Sequence, residues 1–240
     1  MKQPKGFVIY RGPSLLDGAP IVALAITGSS NRKTGDMVQT YIMRADVKPT
    51  EALKSGDDAS ICGDCKHRPY LGGACYVVVA QGPLVVWKQF QKRAYPDESP
   101  DAVAGIVTGR MVRLGTYGDP AAVPAAIWRS LLRNAAGHTG YTHQWQRADD
   151  LRDLCMASVD TPEERQDAAA KGWRTFRVRL AEEPVAAREF VCPASEEAGK
   201  RKTCVTCGAC NGARREGQAS PVIMAHGSKA RRFIAVRAVQ

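Results

Sequence analysis

The segment CMASVDTPEERQDAAAKGWRTFRVRL, residues 155–180, reads as a strand, a helix and a second strand. Asp160 or Thr161 predicts the start of the helix, with Pro162 in its first turn, and Gly172 predicts its end. Short apolar and β-branched runs on both sides predict strands. A strand–helix–strand unit of this kind predicts a right-handed crossover between two parallel strands.

The same alternation extends on both sides of this segment. Its helical stretches are 83–95, 100–109, 120–137 and 148–154. The predicted strands are CYVVV (75–79), MVRLGTYG (111–118), TGYTHQW (139–145), CMASVD (155–160), WRTFRVRL (173–180), EFVCPA (189–194) and VIMAHG (222–227). About seven strands predict an α/β fold built as a partial (β/α) barrel with mostly parallel strands. An open doubly wound sheet is the alternative.

Both ends of the chain add further elements to this core. Strands are predicted at 7–10, 20–27 and 38–47, separated by turns at 16–19 and 28–36, and Thr50 predicts the start of a short helix. RFIAVRAV, residues 232–239, predicts a last strand. We therefore expect an antiparallel N-terminal β layer (1–60), a barrel core with the first cysteine group (61–190) and a cysteine-rich part that closes the sheet (191–240).

The composition favours a cytoplasmic, metal-binding protein. With 240 residues and 44% hydrophobic residues, the chain can bury a full core. It contains no run of roughly 18 apolar residues, and its N-terminus lacks the apolar segment of a secretory signal. In a reducing cytosol its eight cysteines are better interpreted as metal ligands than as disulfides.

The C-terminal cysteines follow the spacing C-x11-C-x2-C-x2-C, at Cys192, Cys204, Cys207 and Cys210. Thiolates two residues apart can bind one metal centre from a tight loop, in zinc and in iron–sulfur sites alike. The third closely spaced cysteine and the remote Cys-Pro favour a [4Fe–4S] cluster. The segment CVTCG also fits a zinc knuckle, so zinc remains the alternative.

The N-terminal cysteines, Cys62, Cys65 and Cys75, follow the spacing C-x2-C-x9-C, with His67 between them. Three thiolates and a histidine would complete a tetrahedral zinc site. Three thiolates alone would leave one iron of a [4Fe–4S] cluster open for chemistry. Cys155, at the start of an apolar strand, is expected to be a buried small hydrophobic residue.

Polar side chains collect where the predicted parallel strands end, which is where α/β proteins place their sites. We expect catalytic roles for Asp119, His143, Asp160 and His226, and cofactor contacts for Tyr76, Gly118 and Ser158. Asp119 and Asp160 also have a simpler interpretation as caps of the helices that follow them. His143 taken alone fits a hydrogen-bonded core residue.

A net charge of +10 indicates a polyanionic partner. Basic residues gather around the C-terminal cysteines, at Lys200–Lys202, Arg214, Arg215 and Lys229–Arg232. They predict a surface for DNA, RNA or a nucleotide, with a solvated basic face as the alternative. No membrane partner is expected.

An uncharacterised family of bacteriophage proteins is resembled by the ordered segments NRKTGDMVQTYI, CGDCKHRPYLGGACYV, VRLGTYGDP, GYTHQW, MASVDTPEE…GWRTFRV and CPASEEAGKRKTC. The resemblance implies action in the cytoplasm of an infected bacterium. More distantly, the chain is similar to radical SAM enzymes, which combine a partial barrel with a three-cysteine cluster and often carry an auxiliary cluster. That similarity implies an S-adenosylmethionine-binding cluster on Cys62, Cys65 and Cys75, although their spacing differs from the usual C-x3-C-x2-C.

Three functions compete at this point. The first is a radical-SAM-like iron–sulfur enzyme that acts on a nucleotide or nucleic acid. The second is a zinc-stabilised nucleic-acid-binding protein without catalysis. The third is a hydrolytic metalloenzyme that uses the polar strand ends, although no local motif such as H-E-x-x-H supports it.

Overall fold

The computed structural model describes residues 4–28, 34–214 and 217–238. Its strands are β1 (Gly6–Pro13), β2 (Pro20–Ile26), β3 (Val38–Arg44), β4 (Met111–Tyr117), β5 (Gly137–Thr139), β6 (Tyr141–Thr142), β7 (Met156–Val159), β8 (Thr175–Arg179), β9 (Glu189–Val191) and β10 (Ser220–Met224). Its α-helices are α1 (Pro49–Ser55), α2 (Ala59–Cys62), α3 (Gly82–Gln91), α4 (Pro100–Ile106), α5 (Ala125–Leu132), α6 (Pro162–Ala170), α7 (Cys204–Cys207) and α8 (Ala230–Arg237). The fold is therefore a mixed α/β fold.

Two five-stranded sheets organise these elements. The first has the order β1-β2-β3-β4-β5, with antiparallel pairing of β1, β2 and β3 and parallel pairing from β3 to β5. The second has the order β6-β7-β8-β10-β9 and is parallel throughout. The predicted antiparallel N-terminal strands are confirmed, and β3 pairs with β4 in the same sheet.

Gly140 alone separates β5 from β6 in the chain. Its N–H donates to the carbonyl of Cys210 and its carbonyl accepts from Met156, both at 2.9 Å. A Cβ at this position would lie 2.9 Å from the Cys155 sulfur. The predicted strand 139–145 is therefore shorter than expected and changes sheets at a glycine where a side chain has no room.

The core lies between the first sheet and the helices that pack on it. Strand β2 is buried from Ile21 to Ile26, and Trp128 and Leu131 of α5 are fully buried. The Trp128 indole donates to the Pro120 carbonyl at 2.9 Å, so this large side chain is buried with its polar group satisfied. Cys155 is also fully buried, which confirms the prediction that it acts as a small core residue.

The helix α6 forms as predicted. Thr161 is its N-cap, Glu164 completes a capping box, and Pro162 lies in the first turn. Gly172 follows the helix with a φ of 78°. This left-handed conformation suits a glycine at the end of a helix.

Four predictions of local structure were wrong. The segment 75–79 is not a strand, because the Cys75 N–H bonds the His67 carbonyl within its own loop. Thr50 does not begin a helix, because Pro49 takes the first position of α1 and Lys48 is the N-cap. Residues 148–154 form one 3₁₀ turn, Asp149–Leu151, followed by turns.

The fourth wrong prediction concerns 232–239, where α8 replaces the expected strand. Phe233 and Arg237, one turn apart, both face the body of the protein: Phe233 is buried and Arg237 pairs with Glu183. Alanine and arginine are strong helix formers, which favours this outcome over the β-branched pattern. Residue 239, residues 29–33 of the predicted turn, and Arg215 lie outside the described residues.

Candidate metal and polyanion site

The N-terminal cysteine site, defined as Cys62, Cys65 and Cys75, lies on a loop that closes on itself. Cys62 ends α2, and the Cys65 N–H lies 3.3 Å from the Cys62 carbonyl. The Cys75 N–H donates to the His67 carbonyl at 2.8 Å. The second bond brings Cys75 back to the segment that follows Cys65, so the three thiols belong to one closed loop.

Gly73 makes the closure possible. Its N–H donates to the Arg68 carbonyl at 3.0 Å. A Cβ on Gly73 would lie 2.3 Å from the carbonyl carbon of His67, which no side chain can tolerate. The glycine in this loop is therefore required by the close approach of two backbone segments.

The three cysteines are half-buried, and their thiols interact with each other. Burial raises the pKa of Cys62 well above its ordinary value, and the charges of Cys65 and Cys75 raise it further. Burial likewise raises the pKa of Cys65 to about 12, and that of Cys75 above its ordinary value. Without a cation these groups are protonated at neutral pH, so binding a metal there releases protons.

Neighbouring elements fix the loop. Arg68 lies 2.7 Å from Asp58 and also donates to the carbonyls of Gly56 and Gly63. The Gln144 side chain donates to the Cys62 carbonyl at 3.1 Å. Lys229, the N-cap of α8, donates to the Cys75 carbonyl at 2.8 Å.

Asp160, which follows β7, binds the two residues that follow Cys65 in the loop. Its Oδ2 lies 2.6 Å from Nε2 of His67 and 3.0 Å from Nζ of Lys66. Burial raises the pKa of Asp160, but the hydrogen bond from His67 and the charges of His67 and Lys66 outweigh it, and the pKa lies below its ordinary value. Nζ of Lys66 also pairs with Oε1 of Glu164 at 2.8 Å.

Asp119, which follows β4, is buried beside the same loop. Its carboxylate accepts from Thr142 Oγ1 at 2.7 Å and from the His143 N–H at 2.8 Å. It also accepts from the Ala121 N–H, as the helix-capping interpretation expects. Burial raises the pKa of Asp119 despite the lowering effects of His143 and these hydrogen bonds.

The structure therefore brings together Asp119, His143 and Asp160 near the N-terminal cysteines. The rings of His143 and His67 meet edge to face with centroids 5.9 Å apart. The pKa values of the two carboxyl groups are displaced in opposite directions, a pattern typical of sites where one group donates and another accepts protons.

The other predicted residues are placed differently. His226 is exposed and bonds the Met224 carbonyl in its own turn, and no contact among the described residues joins it to Asp119, His143 or Asp160. Tyr76 is 71% exposed and accepts from Arg113 at 3.1 Å. Gly118 has a φ of 81° and lies against Ile42, while Ser158 is half-buried on β7 opposite Phe176.

The C-terminal cysteine site, defined as Cys192, Cys204, Cys207 and Cys210, surrounds α7. Cys204 and Cys207 are the first and last residues of α7, and Cys192 follows β9, where its N–H donates to the Val222 carbonyl at 2.8 Å. Burial raises the pKa of Cys210 to about 12, and charges on Cys192 and Cys204 raise it too. At least three thiols of this site therefore interact.

No disulfide joins any of the eight cysteines, all of which lie within the described residues. Over residues 4–28, 34–214 and 217–238, no three His, Cys, Asp or Glu side chains are arranged so that they could hold a metal ion. The described helices include none that is long and apolar enough to cross a membrane.

Sequence reasoning missed Lys66, Glu164, Arg113 and Tyr141. Lys66 and Glu164 form ion pairs that span the loop and α6, so spacing in the sequence gives no sign of them. Arg113 lies on β4 of the first sheet and Tyr141 on β6 of the second, and the guanidinium carbon of Arg113 lies 5.1 Å from the centroid of the Tyr141 ring. The one signal in the sequence was Arg113 itself, a charged residue inside the apolar strand MVRLGTY.

Comparisons with known proteins identify no relative. No protein-family model matches the chain, and neither a curated protein nor a solved structure matches it.

Proposed function

We propose that the chain is an iron–sulfur protein with two cluster sites and a radical-SAM-like reaction on a nucleotide or nucleic acid. The observation that carries this proposal is the convergence of Cys62, Cys65 and Cys75 in one closed loop beside Asp119, His143 and Asp160. The proposal includes the bacteriophage origin and the cytoplasmic location that the sequence implies.

The number and the sequence spacing of the cysteines favour a cluster over a single ion. In a [4Fe–4S] cluster, iron and sulfide atoms lie between the cysteine sulfurs, so these sulfurs are further apart than around one zinc ion. The three thiols of the N-terminal site interact electrostatically, as do at least three of the C-terminal site, which is what ligands of one shared cluster would do. Three thiolates would leave one iron of the N-terminal cluster without a cysteine ligand, whereas the four cysteines of the C-terminal site would ligate all four irons.

The chemistry expected of such a cluster, when an external one-electron donor reduces it, is cleavage of S-adenosylmethionine to methionine and a 5′-deoxyadenosyl radical. The residues of the chain have simpler tasks. The half-buried loop partly shields the sulfurs of Cys62, Cys65 and Cys75 from water, and Asp119 and His143 present polar groups at the carboxyl ends of β4 and β6. Asp160 orients His67 and Lys66.

The connection of the two sheets supports the partial barrel that this function requires. Because Gly140 alone separates β5 from β6, the strand order can continue from β1 to β9 through one bend. From β3 onward all pairings are parallel. In such folds the site lies at the carboxyl ends of the strands, where Asp119 and Asp160 occur.

The helix α8 supports a polyanionic substrate. Phe233 stacks on His67 with ring centroids 5.4 Å apart, and Lys229 bonds the Cys75 carbonyl. The exposed Arg231 and Arg232 are therefore carried on the element that covers the cysteine loop, and no carboxylate of the described residues pairs with them. Arginines in such a position can neutralise phosphates close to the site.

The test uses the full chain purified without oxygen, incubated with dithionite and S-adenosylmethionine. We expect formation of 5′-deoxyadenosine by the wild type and none by Cys75→Ser, whereas Cys155→Ala remains active. A reduced, iron-loaded wild type that forms no 5′-deoxyadenosine would exclude the radical-SAM-like reaction.

A second candidate is a zinc-stabilised nucleic-acid-binding protein, and one observation favours it. Nδ1 of His67 is buried without a hydrogen-bond partner among the described residues, while Nε2 pairs with Asp160. A zinc-bound histidine usually donates its other N–H to a carboxylate or carbonyl. Under this alternative His67→Ala loses the metal of the N-terminal site, whereas a three-cysteine cluster survives that change.

A further inference from the structure

Arg113 of β4 is a buried cation in a setting that differs from that of most other buried arginines. The residue is 8% exposed, and its Nη2 donates to the Tyr76 hydroxyl at 3.1 Å. Its guanidinium lies 5.1 Å from the ring centroid of Tyr141. Among the described residues no carboxylate pairs with it, whereas Arg68 pairs with Asp58 and Arg177 with Glu189.

Arg174 shares this feature. It is 5% exposed and donates to the carbonyls of Ala209, Gly212 and Ala219 and to the amide oxygen of Asn211, with no carboxylate among its described partners. Both arginines lie next to the C-terminal cysteine site. Arg174 donates to the carbonyl of Ala209, the neighbour of Cys210. Arg113 contacts the ring of Tyr141, which follows Gly140, and the Gly140 N–H donates to the Cys210 carbonyl.

A buried charge is costly unless an opposite charge compensates it. Tyrosine side chains are neutral at neutral pH. Tyr76 accepts a hydrogen bond from Arg113 and Tyr141 packs against it, but neither balances its positive charge. The groups nearby that can become anionic are the cysteines, which are thiolates when they bind a metal. Four thiolates around a divalent core carry a net charge of about −2, for zinc and for an oxidised [4Fe–4S] cluster alike.

We propose that Arg113, together with Arg174, is the counter-ion of a negatively charged metal centre on Cys192, Cys204, Cys207 and Cys210. Arg113 acts as a positioning residue: it contacts no substrate, and its charge stabilises the negatively charged, metal-bound site. This inference rests on the proposed function, because it requires a metal centre on these four cysteines.

The test measures metal release in the Cys75→Ser background, so that the C-terminal site is the one followed. The full chain with Arg113→Met, Arg113→Gln or Arg113→Lys is challenged with a chelator, and Arg133→Met, an exposed arginine paired with Asp101, controls for the loss of one charge. We expect the two neutral variants to release metal about tenfold faster or more, with Arg113→Lys and the control close to the parent.

The metal-stripped proteins give a second readout of opposite sign. Without the anionic centre Arg113 is an uncompensated buried charge, so Arg113→Met is expected to melt at a higher temperature than the stripped parent. The Gln variant keeps a donor for Tyr76 and covers the case in which Met fails to fold.

The counter-ion role would be overturned if both neutral variants released metal as slowly as the parent. It would also be overturned if Arg113→Met melted at a lower temperature than the parent in the stripped state as well as in the loaded state. If the wild type nevertheless binds metal at both cysteine sites, the proposed function is unaffected by that result. A wild type that binds no metal at either site would overturn both.

Discussion

His67 and Asp160 join the N-terminal cysteine site to the carboxyl end of β7 through a contact of 2.6 Å between Nε2 and Oδ2. His67 belongs to the loop that carries Cys65 and Cys75, and Asp160 precedes the capping box of α6. One carboxylate therefore fixes the loop, the end of a parallel strand and the start of a helix relative to each other.

Asp160→Asn is expected to destabilise the protein by about 3 kcal/mol, because it leaves Lys66 and His67 beside a neutral group in a buried site. Urea unfolding at pH 7 measures the change. Asp153→Asn, which removes a half-exposed partner of Arg129, is the control and should cost less than about 1 kcal/mol. Equal costs for the two variants would show that Asp160 does not hold the loop.

Gly73→Ala is expected to disrupt the N-terminal cysteine site without removing a ligand, because its Cβ would lie 2.3 Å from the His67 backbone. We expect a loss of stability of about 2 kcal/mol or more and loss of the metal from this site. Gly105→Ala, whose Cβ has nothing within 4 Å, is the matched control and should keep both. A Gly73→Ala protein with full metal content would contradict the proposed role of loop closure.

The strand–helix–strand alternation could be predicted from local sequence because β7, α6 and β8 have the patterns and caps that such elements need. The positions of Asp119 and Asp160 followed from that order. Residues 75–79 and 232–239 could not be predicted in the same way. Residues 75–79 have β-branched side chains, but their loop competes for the backbone hydrogen bonds, and α8 depends on contacts of Phe233 and Arg237 with distant segments.

The grouping of the cysteines was predicted from spacing, but their surroundings were not. Ion pairs such as Lys66–Glu164, and the contact of Arg113 with Tyr141, join residues far apart in the chain. No periodicity or motif encodes such pairs, because they depend on which strands become neighbours. Gly73 illustrates the same limit, since its requirement appears only when two backbone segments approach.

His138 gives a prediction for pH dependence. Burial, with the charge of Arg214, lowers the pKa of His138 to about 4, while in the unfolded chain it is near 6.5. Between these values the unfolded chain binds a proton that the folded chain does not, so stability falls as the pH falls through this window and levels off below about pH 4.

From pH 7 to pH 5 the wild type should lose about 2 kcal/mol more than His138→Gln, measured by urea unfolding. The glutamine keeps a donor for the Leu154 carbonyl, which His138 contacts at 3.0 Å. His226→Gln, at an exposed position, is the control and should behave as the wild type. Parallel pH profiles of wild type and His138→Gln would show that His138 is not the group responsible.

Arg231→Ala combined with Arg232→Ala should weaken binding to single-stranded nucleic acid and reduce the slope of log K against log salt concentration. Each lost phosphate contact lowers the slope by about 0.7 for a single strand. Arg133→Ala, on another exposed surface, should leave affinity and slope unchanged. Fluorescence anisotropy at several salt concentrations measures both, and equal slopes for all three proteins would remove α8 from the interface.

The central claim is that the two cysteine sites each hold a four-iron cluster. Iron, sulfide and zinc are measured in the full chain purified without oxygen, together with its absorption spectrum. We predict about eight iron and eight sulfide per chain, an absorption band near 400 nm, and about half of the iron in Cys75→Ser. A colourless protein with stoichiometric zinc, or one that retains no metal, would contradict the claim.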